Sequence, residues 1–383
     1  MFKTYANIEM FFGRGSRRNI VDVLDRNNVK NVFIIIGKNA VAHGIADLIY
    51  PLVDENRYNI KTFNNIKPNP TIENVLEGIE MTKDFNPDII LAVGGGSVID
   101  TAKAISLAIA NPEAKEDIRL LVKVNGTKNK CVPIIAVPTT CGTGTEVTQF
   151  FIITDEEQKI KLACVDSNSF PIIAVVDSEL MDGMPNSLAA STGMDALTHA
   201  IEAFESNQAN PMSDMYALKA IKTIFTYAEK AVIEREEQAK EEMALAQYLA
   251  GYSFANAGLG LVHAMAHQLG GFYDLPHGLC NALLLPQVLR YNGRVASDKY
   301  RTILKELGVD TKELSMEEII DIMCKKVTSL NGLLGIDKRL CELGVREEDI
   351  ETLAINAMKD PCYDYNPIAA SKEDIMKIFR ESL

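Results

Sequence analysis

The chain has 383 residues, 47% of them hydrophobic and 24% charged, which suits a globular protein with more than one domain. A formal net charge of −13 argues against nucleic acid and anionic membrane surfaces as partners, although a local anion site remains compatible with it. Seven cysteines with no C-x-x-C pair suggest neither a disulfide framework nor a cysteine zinc site. No apolar run has signal-peptide or membrane-spanning length, so a reducing cytoplasm is the expected setting.

In chain order, NVFIIIG (31–37), DIILAV (88–93), VPIIAV (132–137) and IIAVVD (172–177) read as buried strands. Helix-like segments such as 71–85 and 97–110 lie between them. This alternation predicts an α/β unit with parallel strands. Beyond Met184-Pro185 strand-like runs almost vanish and helical periodicity takes over. The expected division is an α/β domain over 1–183 and an all-α domain over 184–383.

Two turns in the first half suit a nucleotide. Gly94-Gly95-Gly96 leads from a strand into a helix opened by Ser97, leaving free N–H groups at the helix start. The stretch is neither G-x-G-x-x-G, since Ile99 takes the third glycine's place, nor a P-loop. VPTTCGTGTEVT (137–148) follows the next strand, with Thr139, Thr140, Thr143 and Thr145 beside Gly142 and Gly144. Either turn alone is equally a ligand-free connection; together they predict a diphosphate and ribose crevice. After the first of these strands Gly37 and Lys38 stand where an acidic residue often binds a ribose 2′-hydroxyl. That favours NADP, although Lys38 is as well read as a plain surface lysine.

In the second half Asp195 and His199 are spaced i, i+4, as are His263 and His267 on another expected helix. His277 follows in the DLPHG loop. Asp195, His199, His263 and His277 make a thiolate-free donor set suited to Fe(II), Mn(II), Co(II) or Zn(II). A lone histidine is more often a packed core residue, but four of the chain's five fall between 199 and 277. His43 keeps the ordinary reading. Glu202 reads as structural, with support of the metal site as the alternative.

These motifs, with GLGLVHAMAHQLGGFYDLPHGLCNALLLP and the late NPIAAS, resemble the iron-containing, or group III, alcohol dehydrogenase family over essentially the whole chain. CVDSNSFPIIAVVDSELMDGMP and the stretch around GLGLVHAMAHQLGGFYDLPHG are most similar to its lactaldehyde-reducing branch. The resemblance implies the dehydroquinate synthase-like architecture: an α/β dinucleotide-binding domain followed by an all-α metal-binding domain. It implies Asp195, His199, His263 and His277 as metal ligands, with His267 beside the metal as a proton relay or a packing residue. It implies Gly95, Gly96 and Ser97 at the pyrophosphate and Thr139, Thr140, Gly142 and Thr143 around the nicotinamide half, with Asn69 and Lys161 at further coenzyme positions. Phe150, Ile152, Phe254 and Cys362 match the substrate-pocket wall. Family members are commonly dimers or larger homo-oligomers.

Two departures stand out. Gly37 replaces an aspartate of NAD-preferring relatives, which supports NADP. Ile368 replaces the arginine of the usual Asn-Pro-Arg, and nothing in the sequence accounts for it. Phe150 and Phe151 make the pocket motif bulkier and more apolar. The expected activity is hydride transfer between NAD(P)(H) and a short alcohol or aldehyde, lactaldehyde and 1,2-propanediol first. 1,3-propanediol, butanol, ethanol and, further off, glycerol are alternatives; dehydroquinate synthase chemistry, a coenzyme-free metal hydrolase and a non-catalytic binding protein are the remaining rivals.

Overall fold

The computed structural model describes residues 2–5, 8–158 and 160–383. Two compact units divide the chain, one over residues 6–184 and one over 185–383 joined by the first five residues. The opening residues therefore depart from the expectation that residues 1–183 form one domain. Thr4 Oγ1 donates to Asn256 Oδ1 at 2.9 Å, which ties them to the helical unit.

The sheet unit is built on β1 (Glu9–Phe12), β2 (Asn31–Ile36), β3 (Asn59–Phe63), β4 (Ile89–Gly94), β5 (Ile134–Pro138) and β8 (Ile173–Val176). All pair in parallel, in the order β1-β8-β5-β4-β2-β3. An antiparallel hairpin, β6 (Phe150–Asp155) and β7 (Ile160–Val165), stands apart from the sheet. The helices are α1 (Asn19–Arg26), α2 (Lys38–Ala42), α3 (Ile45–Ile49), α4 (Ile72–Thr82), α5 (Gly96–Ala110) and α6 (Pro112–Glu116).

The strands are apolar throughout because both faces of the sheet are covered. Alternate residues serve opposite cores. Phe33, Ile35, Ile90 and Ala92 pack with Val75 and Ile79 of α4, Ile99 and Ile105 of α5, and Phe151 and Ile153 of the hairpin. Val32, Ile34, Leu91 and Val93 pack instead with Ile20 and Val23 of α1 and Ile49 of α3. From β3 at one edge the chain returns past β2 to β4, so the strand order reverses between β2 and β4. In open α/β sheets such a reversal opens a ligand crevice at the carboxyl ends of the strands. Gly37 follows β2 there, and Gly94-Gly95-Gly96 leads from the end of β4 into α5.

The helical unit holds α7 (Asn186–Glu205), α8 (Pro211–Val232), α9 (Glu237–Ala257), α10 (Leu261–Tyr273), α11 (His277–Glu306), α12 (Met316–Leu333), α13 (Ile350–Ala357) and α14 (Lys372–Ser382). No strand occurs among its described residues. His277 is not in a loop, as DLPHG suggested, but is the first residue of α11, after the N-cap Pro276. No described helix is long and apolar enough to cross a membrane, and none of the seven cysteines forms a disulfide.

Candidate metal centre and nucleotide crevice

Three helices bring the metal-type donors together. Asp195 and His199 lie one turn apart on α7, His263 is on α10 and His277 opens α11. Their ligand-type atoms all fall within 4.8 Å of one another. Asp195 Oδ1 lies 3.6 Å from His199 Nε2, 3.7 Å from His263 Nε2 and 3.5 Å from His277 Nε2. These separations are long for hydrogen bonds. They are close to the ~3.4 Å that separates tetrahedral donors about 2.1 Å from a shared ion.

α10 is placed by side chains that satisfy its first amides. Asn366 Oδ1 accepts from Leu261 N at 3.1 Å and Glu202 Oε1 from Val262 N at 2.6 Å. The second oxygen of Glu202 lies 2.5 Å from His263 Nδ1. A carboxylate there holds the proton on Nδ1 and turns the Nε2 lone pair toward Asp195, the usual outer support of a metal-binding histidine. Glu202 thus serves His263 rather than its helix neighbour His199. Replacing it with glutamine (E202Q) is expected to weaken metal affinity about 10- to 100-fold with the fold retained, read by competition with a graded chelator.

Asn281, one turn after His277, completes the cluster. Its Nδ2 lies 2.7 Å from Asp195 Oδ1, 3.1 Å from His263 Nε2 and 3.2 Å from His277 Nε2, while its Oδ1 is buried without a partner. One amide group offers two protons to three neighbouring polar atoms, so it cannot serve all of them. The titration of His263 is governed by the carboxylates on either side of it. Burial alone would lower its pKa, but Glu202 and Asp195 outweigh burial and raise it to about 9. A cation binding at Nε2 therefore competes with a proton.

Around the cluster, Phe254 stacks on His199 with ring centroids 4.5 Å apart. His267 lies one turn after His263 and stacks on His277 at 5.4 Å. Its Nδ1 pairs with Asp360 Oδ2 at 2.8 Å. Burial raises the Asp360 carboxyl, yet His267 and the Cys362 amide bring its pKa below the usual value. Cys362 shares this corner, its thiol near His267 and Asp360. Asn281 and Asp360 went unread in the sequence. Asn281 sits four residues after His277, a spacing that becomes informative only once His277 is known to be helical.

In the sheet unit the expected coenzyme residues gather at strand ends. A Cβ on Gly37 would stand 3.1 Å from Val98 Cγ2, so the end of β2 lies against the start of α5. Lys38 Nζ donates to Asn65 Oδ1 at 2.7 Å. Ser97 Oγ donates to the carbonyl of Pro68, and Lys161 Nζ donates to Asn69 Oδ1 at 3.1 Å. The glycine turn and the threonine loop touch: a Cβ on Gly96 would stand 2.7 Å from Thr143 Cγ2, and one on Gly95 3.1 Å from Thr140 Cγ2. Phe150 and Ile152 lie on β6 in this unit, Phe254 and Cys362 in the helical unit.

The description "Iron-containing alcohol dehydrogenase" matches residues 7–178, and "Fe-containing alcohol dehydrogenase family, C-terminal" matches residues 189–383. The chain belongs to the iron-containing alcohol dehydrogenase family. This dehydrogenase is 42% identical to lactaldehyde reductase of Escherichia coli (strain K12), over 97% of each chain. It is 38% identical to the NAD-dependent methanol dehydrogenase of Bacillus methanolicus, again over 97% of each. Its fold matches a crystal structure of a 1,3-propanediol oxidoreductase with a TM-score of 0.96, at 36% identity and over 100% of both chains. The α/β and helical architecture expected from the sequence is that of these enzymes.

Proposed function

We propose that Asp195, His199, His263 and His277 hold one divalent metal, Fe(II) first and Zn, Mn or Co as substitutes, and that the sheet unit binds NADP or NAD. The reaction would interconvert a short aldehyde and its alcohol, with lactaldehyde and 1,2-propanediol as the leading pair. The observation that carries this reading is the convergence of three imidazoles and one carboxylate, three of the four buried, which offers more ligand-type atoms than the Asn281 amide can serve. When bound, the metal supplies Lewis acidity and the nicotinamide supplies reducing equivalents.

The chain's own residues do the rest. Glu202 and Asn281 orient the donors. Phe254 and Cys362 border the metal cluster with apolar surface and a thiol. The glycine turn offers amides at the start of α5 to a diphosphate, and Asn69, Lys161 and the Thr139–Thr143 loop line the crevice. His267, with Nδ1 directed to Asp360, has Nε2 free to carry the proton that aldehyde reduction consumes. Homo-oligomeric assembly in the cytoplasm fits the family and completes the reading.

Gly37 favours NADP because the residue directly after β2 carries no acidic side chain to repel a 2′-phosphate. G37D is expected to lower kcat/KM for NADPH on the order of tenfold or more by like-charge repulsion, with NADH less affected. Parallel initial-rate series with the two coenzymes measure the ratio. For the substrate, enzyme loaded anaerobically with Fe(II) is assayed for NADPH and NADH oxidation with lactaldehyde, 3-hydroxypropanal, butanal and acetaldehyde. The highest kcat/KM should fall on lactaldehyde. A clear preference for 3-hydroxypropanal or butanal would replace the substrate assignment and leave the chemistry in place.

A further inference from the structure

Resting on this coenzyme reading, we propose that Lys103 is a positioning residue. Its buried ammonium, together with Asp100, fastens the loop after β5 and the start of β6 to α5, and so sets Thr143, Phe150 and Ile152 in register with the Gly95-Gly96-Ser97 turn.

Lys103 is fully buried. Its Nζ donates to Phe150 O at 2.7 Å, Thr148 O at 2.8 Å, Thr145 Oγ1 at 2.9 Å and Thr148 Oγ1 at 3.2 Å. Three protons serve four acceptors, all in one stretch of chain. Asp100, one turn earlier on α5, takes the other side. Its Oδ1 accepts from Thr145 Oγ1 at 2.6 Å and its Oδ2 from Ile152 N at 3.0 Å. Thr145 spends its only hydroxyl proton on Asp100, so toward Lys103 it is an acceptor and needs a donor there.

The loop depends on these ties. Between β5 and β6 its only regular element is the short turn Thr145–Val147. The residues fixed are the ones the coenzyme and substrate readings use. Phe150 and Ile152 are held through their backbone by Lys103 and Asp100, and Thr143 is two residues from the double-tied Thr145. An apolar side chain could fill the same volume without the cost of burying a charge. The ammonium serves its acceptors only while protonated.

That makes the ties sensitive to pH. The charged and titratable groups around Lys103 are Asp100 on α5, Glu146 in the Thr145–Val147 turn and Cys131 ahead of β5; Lys161 on β7 faces Asp100. Burial lowers Lys103 to about 8 against the pull of Asp100 and Glu146. Above that pH the amine loses its charge and one of its three donor protons.

The test is NADPH binding by the metal-loaded enzyme, followed by nicotinamide fluorescence, for wild type, K103M and K103Q. Metal content and circular dichroism check the fold. The expected result is a coenzyme Kd and an aldehyde KM raised about tenfold or more in folded variants with normal metal content. In wild type the Kd should also rise as pH passes through about 8, a dependence that K103M lacks. If neither variant folds, the wild-type profile is still a test, with a rise supporting the role and a flat profile overturning it. Wild-type Kd and KM in a folded variant, or a flat wild-type profile across that range, would overturn the role of Lys103 while leaving the coenzyme reading intact. A wild type that binds neither NADPH nor NADH would overturn the coenzyme reading, and this role with it.

Discussion

Replacing His263 with alanine (H263A) is expected to abolish metal binding and activity together. His263 is 1% exposed, and its two ring nitrogens face opposite ways: Nδ1 to Glu202 and Nε2 into the donor cluster. Truncation therefore removes a proposed ligand and leaves Glu202 Oε2 buried without its imidazole partner, while Oε1 keeps the Val262 amide. Metal affinity should fall by more than the about 10- to 100-fold that losing an outer support costs. Stability should fall by roughly 3–5 kcal/mol, the usual cost of stripping one partner from a buried pair. Metal analysis after gel filtration, with a urea midpoint on the same sample, measures both. H263A that keeps one equivalent of metal would remove His263 from the ligand set.

Gly278→Ala is the second large effect, although Gly278 carries no functional group. A Cβ at this position would stand 2.3 Å from the backbone carbonyl oxygen of Ser191 and 3.2 Å from Asp195 Cβ. Neither is the flexible end of a side chain, so the first turn of α11 must move away from α7. That turn carries His277 and Asn281, and α7 carries Asp195 and His199. Displacing catalytic groups by about 1 Å can cost on the order of 10²-fold in rate, and overpacking typically adds about 1–3 kcal/mol of destabilisation. G278A should show both, with lowered kcat/KM and slack metal retention. Gly271, whose Cβ would meet nothing within 4 Å, is the matching control. G271A should behave close to wild type in the same two assays.

The parts of the fold legible in the sequence were those whose residues face a core on both sides. β2, β4, β5 and β8 are nearly continuous Ile, Val, Leu and Ala runs because helices cover both faces of the sheet. β1 (EMFF) and β3 (NIKTF) sit at its edges, are short and half exposed, and carry too little period-2 signal to stand out. The β6–β7 hairpin lies outside the sheet, and its strands mix buried and partly exposed positions.

The candidate metal donors stood out because helical i, i+4 spacing is written in the chain, as in Asp195 and His199. Their supports were not. Asp360 reaches His267 across 93 positions. Asn281 was hidden by Pro276-His277-Gly278, which reads as a loop. In the structure the proline caps α11 and the glycine permits its approach to α7. Glu202 was noticed, but its partner could not be deduced, because α7 presents it to α10 rather than to its own helix neighbour.

The measurement that bears most directly on the central claim is an anaerobic titration of metal-free enzyme with Fe(II), following NADPH oxidation by lactaldehyde at each addition. The four-donor centre predicts no activity without metal, a linear rise that saturates at one equivalent per chain, and complete loss on adding chelator. Full activity in the metal-free enzyme, or a rate that chelator leaves unchanged, would contradict it.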